Sequence, residues 1–454
     1  MRHTQSMTAK SIEVLAGRRE PFHQRMLLVF GVIGYVALFQ WMYENYLYPN
    51  WDYAGFHYYP PPTIYLALAW VLSVAPSLWM PKRLTRPSQL AYWVLYIAVF
   101  IPSMFVPFYV GLDTSGEVSR LTLVLFAGFA ITGASHLLPL ARLRPTRIPE
   151  RMFWKVFGCI AGGLAMWMLV VFRHHVQIVS FLDVYDLRDA ASDLSEGSQV
   201  NYAFMLLSGA INPLLMGFGL WQRRWRMLAC GVAGQLLVYS VGGTKGSILS
   251  IPFILGFYLL FRVRFFLFAH KLTFGILTLM GGLCLSWSIV DGEPGPIHVL
   301  VLFVVLMRTL SMEGLLTAQY HYFFQHNPFT YYSHIKGVNL LVHYPYQYSV
   351  GQEIGVAFAG TPDMDANAHF WATDGIGSMG LPGILLVSLI CTLVFWVLDS
   401  AAQQHDPRLS ALIVSFSAFN LANLSIFTTL LSGGFGLLIL LLYLLPSRKQ
   451  MECA

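Results

Sequence analysis

Long apolar runs, separated by short polar breaks marked with Gly and Pro, dominate the chain from residue 26 to residue 446. A hydrocarbon core of about 30 Å takes roughly 20 such residues as a helix, and fewer where neighbours or interfacial anchors help. On that measure the pattern predicts membrane helices at 26–42, 63–80, 89–110, 121–141, 156–172, 202–220, 227–241, 247–261, 272–290, 382–398, 410–426 and 435–446. Two of the breaks follow from length. Residues 227–261 as one helix would be about 50 Å long, too long for the bilayer. The stretch Val241-Gly242-Gly243-Thr244-Lys245-Gly246 supplies a turn, so the block reads as a hairpin of two helices. Ser432-Gly433-Gly434 splits 410–446 in the same way.

Composition sharpens this to an all-α polytopic integral membrane protein of about twelve spans. Of 454 residues, 56% are hydrophobic and only 11% are charged, where a soluble chain carries about 25%. The shortfall excludes an ordinary cytosolic enzyme. It also removes the nucleic-acid reading that a net charge of +6 invites, because the basic residues are distributed by topology. Segments 1–25, 81–88, 142–155, 222–226, 262–271, 399–409 and the tail hold 22 of the 28 Lys and Arg, whereas 16 of the 22 acids fall in the intervening segments. Such an excess marks the cytoplasmic side. The expected layout is a cytoplasmic N-terminal segment over 1–25, nine spans within 26–290, a large periplasmic loop over 291–381, three spans within 382–446 and a cytoplasmic tail over 447–454. A further span at 296–318 is rejected, since it would place Arg408, Arg448 and Lys449 outside. The basic N-terminus followed by an apolar run resembles a signal peptide, but no small-x-small site follows Met42, so an uncleaved signal anchor is expected. Four of the five cysteines sit in apolar runs and Cys453 in the tail, which predicts no disulfide and no thiolate metal site.

The cytoplasmic segments are too short to house a nucleotide-binding domain, and neither GxxxxGK[ST] nor a Rossmann-type GxGxxG in a strand–helix context occurs. The opposite side carries an aromatic, acidic first loop (43–62), a loop at 173–201 and the roughly ninety residues of 291–381; long loops of this kind usually carry function. Within the last, 296–307 is strongly apolar, and 310–324 places apolar and aromatic residues at helical spacing. These read as helices lying in the interface or dipping into the protein.

Six cations break the charge trend: Arg120, Arg173, Arg188, Lys245, Arg308 and Lys336. Arg120 and Arg173 sit at span ends, where snorkelling accounts for them. Lys245 occupies a glycine turn, which is either an anion cradle of backbone N–H groups and an ammonium or an interfacial marker of the hairpin. Arg308 follows an apolar stretch, and burying it without an anion would cost several kcal/mol. Its partner is therefore Glu313 or a ligand phosphate, with phosphate favoured. Arg188 lies among Asp183, Asp186, Asp189 and Asp193, which fits a solvated ion pair. Among the acids, Glu353 and Asp363 stand beside Gly- and Pro-containing turns and are open to two readings, proton acceptor for a sugar hydroxyl or helix cap. Asp374 is equally open to a turn role. Asp363-x-Asp365 alone is weak evidence for a divalent ion. His321, His326, His334, His343 and His369 lack the spacing of a metal helix, so no metal site is assigned. The aromatic run from Tyr43 to Tyr59 suits stacking on sugar rings and an interfacial belt alike.

Tyr348-Ser349-Val350-Gly351-Gln352-Glu353-Ile354-Gly355, followed by Pro362-Asp363-Met364-Asp365-Ala366-Asn367-Ala368-His369-Phe370-Trp371-Ala372-Thr373-Asp374-Gly375, resembles the last large periplasmic loop of Wzy-type O-antigen polymerases. Gly242-Gly243-Thr244-Lys245 resembles that family's glycine-plus-cation hairpin, and Glu44-Asn45-Tyr46-Leu47-Tyr48 with Trp51-Asp52-Tyr53 is also similar. The match covers about a quarter of the chain. The family's spacing of about ten residues between a periplasmic Arg and a Gly is imperfect here, with Gly197 nine positions after Arg188.

The resemblance implies a GT-C-like glycosyltransferase of the bacterial inner membrane. Such an enzyme moves a growing glycan from undecaprenyl diphosphate to an incoming lipid-linked repeat unit at the periplasmic face. Donor and acceptor lipids, membrane lipids and a chain-length regulator are the implied partners, and no nucleic acid. The donor is already activated, so no cofactor is needed. Lys245, Arg308 and Arg188 become candidates to hold the diphosphate, Glu353 and Asp363 to accept the acceptor's proton, and Asn367, His369 and Asp374 to bind substrate. A ligase sharing the donor and a flippase are the rival readings. The flippase should place charges within spans near the midplane, and these spans are nearly charge-free.

Overall fold

The computed structural model describes residues 22–144, 146, 148–173, 200–290 and 295–446. Among them there is no strand; every regular element is helical. Eight helices are long and apolar enough to cross a membrane: α1 (Phe22–Ala54), α3 (Ser88–Val110), α4 (Ser115–Leu137), α5 (Glu150–Val171), α6 (Val200–Trp221), α8 (Lys245–Arg262), α9 (Phe268–Ile289) and α13 (Leu381–Ala402). Shorter or less apolar helices complete the set: α2 (Thr63–Leu78), α7 (Trp225–Gly242), α14 (Pro407–Leu421), α15 (Ile426–Leu430) and α16 (Phe435–Leu444). The chain is thus a multi-pass membrane protein, and each of the twelve apolar segments read from the sequence holds a helix. The hairpin expected at 242–246 is the α7–α8 turn, with Gly243 at φ +58°.

Two boundaries differ from expectation. Helix α1 runs on through the first "loop" to residue 54, because a π-turn at Tyr43–Leu47 keeps the backbone bonded until Gly55 at φ +96° ends it. Helix α4 starts at Ser115 rather than 121, since Thr114 caps it by accepting from the Glu117 N–H. Its first turn carries Glu117 paired to Arg120 at 3.0 Å, an exposed pair.

Helix α3 is the axis of the bundle: its whole apolar window is buried, against 11% of the window of α5. Large side chains of α5 such as Met152, Val156, Ile160 and Met166 lie exposed, as expected of a lipid-facing surface. A π-turn at Tyr96–Phe100 precedes Pro102 in α3. Pro102 has no N–H to donate one turn back, and the wider turn absorbs the defect.

Contacts sort the helix ends into two layers. Arg25 donates to the carbonyls of Ser77 and Met80 at 3.0 and 2.8 Å, and Arg86 to those of Ser135 and Leu138 at 3.2 and 3.1 Å. Arg224 pairs with Glu150 at 2.8 Å, the Ala269 N–H donates to the Lys82 carbonyl, and the Ala141 N–H to Ser400. The segments rich in Lys and Arg therefore meet at one end, called the basic end below; the opposite end is called the acidic end.

At the acidic end, α10 (Pro296–Thr309) and α11 (Met312–His326) form a pair bent by 45°. His298 Nε2 lies 2.9 Å from Ser286 Oγ in the last turn of α9, and His321 pairs with Asp113 just past the end of α3. Both α9 and α3 finish at the acidic end, so the pair begins and finishes there. Helix α11 packs along α3 with Gly314 against Pro102. A Cβ at Gly314 would lie 2.7 Å from the Pro102 carbonyl oxygen, so only glycine allows this approach. Helix α12 (Val350–Ala359) starts at a capping box of Ser349 and Gln352 and carries the motif's Gly355, where a Cβ would meet the Met364 carbonyl. The glycines of the motif thus let residues 361–367 lie on α12.

Candidate functional site

Three groups of polar side chains collect at the acidic end, each from a different packing event. The first forms where the bent pair meets the motif. Glu313, in the first turn of α11, is 1% exposed. Its Oε2 accepts the His369 N–H at 2.9 Å, and its Oε1 has no hydrogen-bond partner. Arg308 sits on the π-turn Phe303–Thr309 just before the bend. It is half-buried, its charge reaches Glu313 through space, and among the described residues it makes no ion pair. Of the two partners read from the sequence, Glu313 is thus nearby but is not clamped to it.

His369 is fully buried. Its Nδ1 accepts the Ala372 N–H at 3.3 Å, which leaves Nε2 to donate to Thr317 Oγ1 at 2.8 Å. The Thr317 hydroxyl donates to the Glu313 carbonyl and stands 2.8 Å from Ser103 Oγ on α3. Burial pushes the His369 imidazolium down to about 3, so the ring is neutral at physiological pH. His369, expected to bind substrate, is used to join α3, α11 and the motif.

The second group centres on Asp374, also fully buried. Its Oδ1 accepts from Ser425 Oγ at 2.6 Å and faces His334 Nε2 at 3.0 Å; its Oδ2 accepts the Ile426 N–H at 2.6 Å. Asp374 therefore caps α15 from a distant part of the chain, with its negative charge at the helix N-terminus.

The third group is the exposed face of the motif. Glu353 is half-buried, and its Oε1 accepts the N–H groups of Gln347 and Tyr348 at 3.1 and 2.8 Å, fixing the turn that precedes α12. Burial and the Glu353 charge push the Tyr346 hydroxyl up to about 12. Asp363 is exposed; its Oδ2 accepts only from Thr361 Oγ1, at 2.9 Å. Asn367 donates to Asp365 at 2.6 Å. Of the two candidate bases, Asp363 is the more open to a ligand.

Lys245 is the first residue of α8 and is half-buried at the acidic end, next to the Gly246–Phe416 contact that seats α8 on α14. Lys336 lies 5.8 Å from the Tyr202 ring, so the 331–341 segment touches α6. Arg188 lies outside the described residues. The aromatic run is largely packed against protein: the Tyr43 and Tyr109 rings lie 4.7 Å apart, tilted by 43°, Tyr43 donates to the His57 carbonyl, and Tyr58 donates to Glu44 at 2.7 Å. Burial and Glu44 push the Tyr58 hydroxyl up to about 12. Tyr53 and Tyr59 remain exposed.

Sequence reasoning missed the buried partners Ser103, Thr317 and Asp113 with His321. These join residues 52 to 214 positions apart, and the signal at hand was a polar residue (Ser103) inside an apolar run. Among the described residues no group of three or more His, Cys, Asp and Glu is placed to hold a metal ion. Comparison of the chain with protein-family models, curated proteins and solved structures gives no match in any of the three.

Proposed function

We propose that the protein polymerises undecaprenyl-diphosphate-linked oligosaccharide repeat units, acting at the acidic end as a GT-C-like glycosyltransferase with twelve spans and that end in the periplasm of a bacterium. In this reading an acceptor sugar hydroxyl attacks the anomeric carbon of the donor glycan. The bond from that carbon to the diphosphate oxygen breaks, its electron pair leaves on the diphosphate, and the hydroxyl proton passes to a carboxylate. Arg308 and Lys245 oppose the charge that develops on the leaving group, with Arg188 as a third cation. Asp363 takes the proton, and Glu353 shapes the loop beside it. A chain-length regulator and the lipid substrates are the partners.

The observation that carries the reading is Arg308. A half-buried guanidinium that makes no ion pair among the described residues, beside a buried carboxyl with an oxygen that has no hydrogen-bond partner among them, stands at the bend of a helix pair that begins and finishes at one end of a membrane protein. Holding a cation there is costly unless an anion visits. A lipid diphosphate has the required charge and comes to the required depth.

The test is reconstitution of the purified protein in liposomes with purified lipid-linked repeat units, without added metal and then with chelator. The expected product is a ladder of lipid-linked oligomers that chelator does not reduce. No ladder from a folded protein supplied with several repeat-unit types would refute the proposal.

A further inference from the structure

The buried carboxyl beside Arg308 has no part in the proposed reaction, and its surroundings give it one. A carboxylate asks for several donors, since its two oxygens offer about four acceptor sites. Among the described residues Glu313 has a single donor, the His369 N–H on Oε2, and at 1% exposure it is out of reach of bulk water. The hydroxyls of the neighbouring stretches donate elsewhere. Thr309 donates to the Val304 carbonyl at 2.7 Å, Ser311 to the Leu306 carbonyl at 2.8 Å, and Thr317 to the carbonyl of Glu313 itself at 2.6 Å. With the Thr317 proton so used, Ser103 is the donor in the 2.8 Å bond between the two hydroxyls. Gly314 against Pro102 closes α11 onto α3 at this level. Counted by bonds, the site suits a neutral acid better than an anion.

One charge works the other way. Arg308 reaches Glu313 through space and favours its ionised form, against burial, which pushes the carboxyl up to about 8. The other elements packed around Glu313 supply no second cation of this kind. His369 is neutral, α3 presents Pro102 and Ser103, and Glu353 on α12 is turned to the Gln347 and Tyr348 N–H groups. On α11 itself His321, two turns on, faces Asp113, and Tyr320 lies in the fields of Glu313, Asp365 and Asp374. The ionised form of Glu313 thus depends on Arg308.

Resting on the reading that Arg308 receives a lipid diphosphate, we propose that Glu313 takes up a proton when the diphosphate arrives and releases it when the diphosphate leaves. Phosphate oxygens at the guanidinium cancel the field that favours the carboxylate and bring further negative charge, so an O–H bond forms at Glu313. The proton comes from solvent and returns to it, and no other bond changes. The reverse step gives the site a way to turn over. An ionised Glu313 competes with the spent diphosphate for Arg308, which favours release of the lipid carrier after each transfer.

Binding of undecaprenyl diphosphate to the full chain in nanodiscs of neutral lipid, between about pH 7 and pH 9, tests the coupling. The free carboxyl ionises at about 8 and the bound one stays protonated, so the wild-type affinity should fall about tenfold across that interval. Glu313→Gln keeps an acceptor for the His369 N–H and cannot ionise; its affinity should stay level to within about twofold. Ionisation of the lipid's own phosphates acts in the opposite sense, strengthening binding as pH rises, and Lys245 is the same in both proteins. If the variant does not fold, infrared difference spectroscopy of the wild type at about pH 8.5 decides, because lipid addition should produce the C=O band of a protonated carboxyl. A level wild-type affinity, an equal fall in Glu313→Gln, or no carboxyl band would each overturn the coupling while leaving lipid binding in place. No binding at any pH by the folded wild type would remove the reading of Arg308 and the coupling with it.

Discussion

The two ends of the molecule handle charge in opposite ways. At the basic end cations are plentiful, and Arg83, Arg223, Arg262, Arg264 and Arg408 lie exposed around open cavities, which the fold tolerates because water and headgroups are at hand. At the acidic end the described cations are few, and the notable polar groups are buried one by one in specified hydrogen bonds: Glu313 to the His369 N–H, His369 to Thr317, Asp374 to Ser425 and Ile426. The difference teaches where single side chains matter. Losing one of several clustered cations leaves the others to compensate, whereas losing one member of a buried pair leaves its partner without a bond.

The sharpest way to break this contrast is to compare one cation from each end. Arg308→Ala should lower formation of long-chain product about 100-fold or more, in the range seen when a single stabilising donor is removed, with single-repeat lipid persisting. Arg264→Gln should leave the same assay within about twofold. Comparable losses in both would erase the distinction.

Next in size is Asp374→Ala. It strips the acceptor from Ser425, Ile426 and His334 inside the protein, and should cost on the order of 3 kcal/mol, read as a lowered unfolding temperature in detergent. A carboxylate that served substrate alone would leave that temperature unchanged.

A smaller effect separates the two motif acids. Asp363→Asn should reduce the polymerisation rate about tenfold or more at unchanged stability, whereas Glu353→Gln, which keeps an acceptor for the Gln347 and Tyr348 N–H groups, should change the rate less than about threefold. Equal activity of wild type and Asp363→Asn would remove the base.

The last test is a pH dependence, read as a slope per pH unit and not as a single loss. The folded state holds His369 neutral down to about 3, against an ordinary value of 6.5, so the unfolded chain binds a proton that the folded chain refuses. This contribution is fully present above pH 6.5 and is lost as pH falls towards 3, at about 1.4 kcal/mol per pH unit once the unfolded imidazole is charged. The acid-side decline in unfolding temperature should be shallower in His369→Gln than in wild type. Parallel declines would show that the buried ring is not its source.

How much of this was legible beforehand divides along the same line. The helices, the α7–α8 hairpin and the gathering of basic segments at one end follow from apolar run length, glycine breaks and Lys/Arg counts, all of which are local signals. The continuation of α1 to residue 54 was not legible: Tyr, Asn and Asp in that stretch read as loop, yet its π-turn and the packing of Tyr43 on Tyr109 keep it helical. The motif from Tyr348 to Gly375 did mark the region where the polar groups meet. It could not show that His369 and Asp374 point inward as fasteners, because their partners Thr317 and Ser425 lie 52 and 51 residues away. Arg308 breaks the Lys/Arg pattern of the sequence, and among the described residues it makes no ion pair.

The most direct measurement is equilibrium binding of radiolabelled undecaprenyl diphosphate to wild type, Arg308→Ala and Arg308→Lys in nanodiscs of neutral lipid, with unfolding temperature as the control for folding. If Arg308 holds the lipid's phosphates, binding should fall at least tenfold in Arg308→Ala and recover in part in Arg308→Lys, which restores a charge without the bidentate fork. Equal affinity in all three would contradict it.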